Sequence, residues 1–286
     1  MSDKIIAAPE NWTCPTCNVA VATAFCSSCG ERPVGARELT VHGLTTLVYK
    51  AFSPVDGRLL RSFLALIAAP GRLTAAFQQG LRKPFVGPFQ LFLMTNVLFF
   101  AVQSVSTLRI FTQPLTYRLH GQPGSEFGQT LVDARLAATG KTLAEYAPVF
   151  DQAVATNAKS LIGLMVPLLA LLLPLVFWRR HRPLAVHVVF SLHFYTFLLI
   201  LFCVPLIAIA INTLLGGPPD LKDTAYDAMS IGLLLSCAAY LYLAIAPVYG
   251  TRGVARIAQT LILTTAVVGI FMIYRFILLP ITLYTT

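Results

Sequence analysis

Apolar positions fall into long unbroken runs along this chain rather than into the short alternations of a soluble domain. A bilayer core of about 30 Å needs about 20 apolar residues in helix. Five segments meet that requirement: Pro88–Leu108, Ser160–Trp178, Val186–Leu215, Ala225–Tyr249 and Ile257–Tyr284. The third and fifth exceed the minimum, so they are expected to tilt, kink or run partly along the interface. Leu59–Ala69 is apolar but too short to cross, which predicts an interfacial or shallow re-entrant helix. Its Leu59, Leu60, Phe63, Leu64 and Ile67 recur at helical spacing beside Arg58 and Arg61, the pattern of a helix in the headgroup layer. Upstream, Leu44, Leu47, Val48 and Phe52 repeat it within Glu38–Phe52; downstream, Pro70-Gly71 breaks the chain before a short helix from Leu73 to Gln79. Packing of these helices on the N-terminal module as a small soluble core is the alternative. The stretch 109–159 is too long for a turn. Thr142-Leu-Ala-Glu145 has capping-box spacing, and Val132, Leu136, Leu143, Tyr146 and Phe150 can form the apolar side of one or two helices over the bundle mouth.

Composition agrees: 56% of residues are hydrophobic, 12% are charged and the mean hydropathy is +0.72, outside the range of soluble globular domains. Met1 to Glu10 carries Asp3 and Lys4 and no apolar core, so insertion is expected to depend on the internal runs. Lys and Arg concentrate before the first run, in Arg179-Arg180-His181-Arg182 and at Arg252 and Arg256. The 109–159 stretch holds five basic residues against four acids, and Gly216–Thr224 holds Lys222 against Asp220 and Asp223. That alternation predicts a cytoplasmic N-terminus and an extracytoplasmic C-terminus. The net charge of +9 is then assigned to topology and anionic headgroups of the lipid bilayer, and no nucleic-acid partner is expected.

The chemistry-bearing pattern is at the start. Cys14-Pro-Thr-Cys17 and Cys26-Ser-Ser-Cys29 are two CxxC knuckles that can converge four thiolates on one tetrahedral zinc ion. So short a stretch cannot bury enough apolar surface to fold alone, and metal binding would supply the free energy. Four protein ligands leave no open position, which marks a structural zinc. Disulfides or a redox dithiol are the competing reading, but the βαβ context usual for such a dithiol is missing.

These features, with Phe25-Cys-Ser-Ser-Cys-Gly30, Pro70-Gly71, Gly80-Leu-Arg-Lys-Pro-Phe-Val-Gly-Pro-Phe-Gln-Leu-Phe92 and Asn96-Val-Leu-Phe-Phe100, resemble a family of uncharacterised bacterial membrane proteins. That family carries an N-terminal zinc ribbon and is known only as a domain of unknown function. His187-Val-Val-Phe-Ser-Leu-His193-Phe194 is similar to its His-rich stretch, where a further histidine often follows in place of Tyr195. The resemblance implies fold and a plasma (inner) membrane location, and lends no reaction. The expected architecture is an all-α integral membrane helical bundle of about five transmembrane helices with a small N-terminal zinc-ribbon module. Its divisions are 1–36 (ribbon), 37–87 (cytosolic or interfacial amphipathic helices) and 88–286 (bundle, with an extracytoplasmic segment at 109–159).

Polar groups within apolar runs are costly and mark where function concentrates. His187 and His193 lie six residues apart, on different faces of one helix, so they cannot chelate as an i, i+4 pair. His187 is expected near the cytosolic interface, and His193 to hydrogen-bond a neighbouring helix. Arg275 either ends the true span, leaving the last eleven residues at the outer interface, or faces the bundle and takes Asp223, Asp227 or a lipid phosphate. Cys203 and Cys237 read as small hydrophobes. No catalytic residue, Walker loop or dinucleotide fingerprint is found. Three function classes remain: an interaction or regulatory protein that presents its ribbon to a cytosolic protein partner, a transporter or flippase for a small or lipidic substrate, and an intramembrane lipid-acting enzyme. The first is favoured because a closed ribbon offers a surface and no reactive group; the sequence leaves the oligomeric state unknown.

Overall fold

The computed structural model describes residues 12–14, 17–23, 25–28, 57–81, 84–111, 113–120, 125–217 and 223–286, in two units, Met1–Gly57 and Arg58–Thr286. Cys29 and the expected helix over Glu38–Phe52 lie outside the described residues. In the first unit, strands β1 (Trp12–Thr13) and β2 (Ala20–Val21) pair antiparallel with Trp12 opposite Val21.

The second unit is helical: α1 (Gly57–Ala68), α2 (Arg72–Gln78), α3 (Pro88–Val105), α4 (Leu115–His120), α5 (Ser125–Thr139), α6 (Leu143–Leu161), α7 (Met165–Val176), α8 (Leu184–Leu214), α9 (Asp223–Tyr249) and α10 (Gly253–Thr285). Four of these, α3, α8, α9 and α10, are long and apolar enough to cross a membrane, and the number rises to six if each of two bent pairs counts as one span.

One bent pair corrects the expected run Ser160–Trp178. Its first residues belong to α6, a 3₁₀ turn occupies Ile162–Leu164, and α7 has only 12 residues. Twelve residues rise about 18 Å, short of a bilayer core. Pro167 accounts for the break: it has no N–H to give the Gly163 carbonyl four residues back, so the helix tightens and turns by 41°. A crossing here therefore uses α6 and α7 together.

The other pair is α1–α2, bent by 115° at Pro70-Gly71. Its second arm packs against α8 and α9, and both arms belong to the same unit as the bundle. The expected apolar segment Leu59–Ala69 is thus the first arm of a bent helical pair, a geometry that suits a re-entrant hairpin. The apolar residues of α1 also divide differently from expectation. Leu66 and Ser62 are fully buried, whereas Leu60, Leu64 and Ile67 are exposed, so the outward face is itself apolar. The Val86 N–H donates to Ser62 Oγ (2.9 Å) and Arg58 donates to the Phe85 carbonyl (2.7 Å), fastening α1 to the chain entering α3.

Beyond α3, the helices of 109–159 form as the spacing predicted. Thr142 and Glu145 make a reciprocal capping box at the start of α6. Val132, Tyr146 and Phe150 are buried, and α6 packs along the end of α10. Tyr274 donates to the Ala158 carbonyl (3.0 Å), Asn157 to Thr285 (2.9 Å), and Tyr146 bonds the Thr286 hydroxyl. The final residues of α10 thus continue the helix and pack on α6.

Candidate functional site

The Cys14–Cys17 knuckle is the turn of the β1–β2 hairpin. Asn18 N–H bonds the Cys14 carbonyl (2.9 Å), Cys14 N–H bonds the Val19 carbonyl (3.0 Å), and Asn18 takes a left-handed φ of 53°, which asparagine tolerates. Trp12 Nε1 donates to the Thr23 carbonyl (2.8 Å) and brings the following segment across the hairpin. As a result the sulfurs of Cys14, Cys17 and Cys26 all lie within 4.8 Å of one another. The Cys17–Cys26 pair is 3.4 Å apart. A tetrahedron with metal–sulfur bonds of about 2.3 Å has sulfur–sulfur edges of about 3.8 Å. The three thiols therefore have the spacing to hold one metal ion, and their chemistry suits a soft or borderline cation. Cys14 and Cys26 are buried with Val21, while Val19 and Phe25 are exposed on the same unit.

The intramembrane candidates are placed separately. His187 is buried near the start of α8, and its Nδ1 shares a 2.9 Å hydrogen bond with the Tyr249 hydroxyl. Tyr249 stacks on Phe177 (3.8 Å between centroids, 4° between planes), which closes this end of the bundle over α7, α8 and α9. His193 bonds Thr74 Oγ1 of α2 (2.9 Å) and lines a cavity of about 70 Å³ with Leu73, Phe77 and Phe85. The neighbouring helix expected for it is thus the inserted hairpin arm. Tyr195 is also buried, and its hydroxyl has no hydrogen-bond partner among the described residues. Removing the Thr74 hydroxyl in Thr74→Val keeps shape and leaves His193 without this bond. The expected loss is roughly 1 kcal/mol, read from unfolding in detergent, with Thr74→Ser close to wild type.

Arg275 is half-buried at the opposite end, about one turn beyond Phe271, and donates to the Gln113 side chain. Arg118 is 1% exposed, and its guanidinium reaches the carbonyls of Gln113 (3.1 Å), Arg275 (3.3 Å) and Phe111 (3.4 Å). Burial, then the neighbouring Arg275 charge, hold the Arg118 pKa down to about 10, so it stays protonated at neutral pH. Sequence reasoning counted Arg118 as a loop charge. Its only signal was the flanking pair Leu115 and Leu119, both buried. Among the described cavities, those touching His193 and Arg275 share no lining residue.

Residues 56–100 match the family model described as "Protein of unknown function (DUF3667)". The match takes in the α1–α2 hairpin, Gly71, Thr74 and most of α3. No significant match is found among the curated proteins or the solved structures.

Proposed function

We propose that this chain is a bacterial plasma-membrane protein whose N-terminal cysteines hold one structural zinc ion and present a docking surface to a cytosolic protein. The observation that carries this reading is the convergence of Cys14, Cys17 and Cys26 in a unit that also exposes Phe25 and Val19. Cys29 supplies the fourth thiolate by its place in the second CxxC pair. A site closed by four protein ligands has no position left for substrate, so its role is to shape a surface. The separation of His193 from Arg275 weighs against a single intramembrane reaction centre.

With the hairpin entering and leaving on one side, α3, α6–α7, α8, α9 and α10 give five crossings, an N-terminus inside and a C-terminus outside. The excess of Lys and Arg in alternate connections supports that orientation. Ser125→Cys is expected to label from outside and His181→Cys only from inside; the reverse would overturn it. The docking role is tested by replacing Val19 and Phe25 with serine. Zinc content should persist while affinity capture of a partner from intact membranes falls. Undiminished capture would place the interaction elsewhere.

A further inference from the structure

At the end of the bundle where α3 finishes, a cavity of about 300 Å³ opens between α8, α9 and α10. That is the lower end of the size of small-molecule sites. Its wall has two parts. Phe202, Leu233, Val267 and Phe271 line an apolar slot, and Arg109, Gln113 and Arg275 stand at one side of it. Among the described residues the lining carries two arginines and no carboxylate.

The cationic side is held in place. The Arg275 guanidinium carbon sits 6.0 Å from the Phe271 ring centroid and the side chain is tied to Gln113. Arg118 in turn clamps the backbone of both Gln113 and Arg275. Arg109 is exposed at the rim. Arg275 stands 22 residues into α10, about 33 Å from the helix start, which for a helix that starts at one interface reaches the far headgroup level. Guanidinium groups bind phosphate through paired N–H donors, and lipid phosphates sit at the headgroup level.

We propose that this cavity is a binding site for one anionic phospholipid, its phosphate on Arg109 and Arg275 and an acyl chain in the slot lined by Phe202, Leu233, Val267 and Phe271. The charge complementarity of the rim and the apolar slot beneath it select a molecule that is anionic at one end and hydrocarbon at the other. This site is separate from the cysteine unit and independent of any partner docked there.

The test uses the full chain in nanodiscs containing phosphatidylglycerol or phosphatidylcholine with the same diazirine-bearing acyl chain. Crosslinks are mapped by mass spectrometry. The anionic probe should label the slot residues with a preference of about fivefold per arginine, roughly 30-fold in all. Arg109→Gln combined with Arg275→Gln should abolish the preference. Leu233→Trp, which fills the slot and leaves both arginines, should abolish the labelling itself. Equal labelling by both lipids, labelling that maps outside the cavity, or labelling unchanged in Leu233→Trp would each overturn the proposal. Loss of labelling in 10 mM inorganic phosphate at constant ionic strength would reassign the rim to a soluble anion and overturn it equally.

Discussion

Alanine at Gly71 is expected to undock the α1–α2 hairpin and lower stability by roughly 3 kcal/mol. Two costs coincide there. Gly71 has φ +83°, the left-handed region that an L side chain resists. A Cβ at this position would also sit 2.5 Å from the Ala244 carbonyl oxygen and 2.7 Å from Pro247 Cγ. Neither neighbour is the end of a flexible side chain, so α2 must move away from α9. That movement would pull Thr74 from His193. Gly80 separates the two costs, because its φ is +78° but a Cβ there meets nothing within 4 Å. Gly80→Ala should cost only the backbone strain, about 1 kcal/mol. Unfolding of both variants in detergent, followed by circular dichroism, gives the comparison. Equal losses would show that close approach of the hairpin to α9 does not contribute.

Serine at Cys14 or at Cys26 is expected to take bound zinc from about one ion per chain towards zero. Structural zinc is bound with about 10–16 kcal/mol in small cysteine sites, and that energy depends on deprotonated thiolates. A serine hydroxyl stays protonated at neutral pH and offers a poor ligand, so one replacement should release the ion. The helical unit is a separate body of contacts, and its helix content should be unchanged. Cys203→Ser is the control, since that residue is buried in α8 of the helical unit. Metal analysis of the purified chains decides the matter; full retention in both knuckle variants would refute the site.

Sequence pattern exposed the long helices because lipid demands a run of apolar residues whatever the packing. The capping box at Thr142 was legible for a different reason, as its bonds are local and follow spacing alone. The same locality makes a CxxC pair readable. Other features depended on partners far along the chain. Thr74 meets His193 across 119 residues and His187 meets Tyr249 across 62, and neither partner carries a mark in its own neighbourhood. Both the inward and the outward faces of α1 carry apolar residues, so hydrophobicity could not tell packing from lipid. The break at Ile162–Leu164 had a sequence signal in Gly163 and Pro167. That break shifts the span's start into α6.

The central claim is that metal at the cysteines shapes a surface that another protein contacts. It is tested most directly by a photoreactive amino acid placed at Phe25 of the intact chain in living cells. The account predicts a discrete protein adduct that disappears in Cys14→Ser and on zinc chelation. The same adduct in Cys14→Ser, or no protein adduct at all, would contradict it.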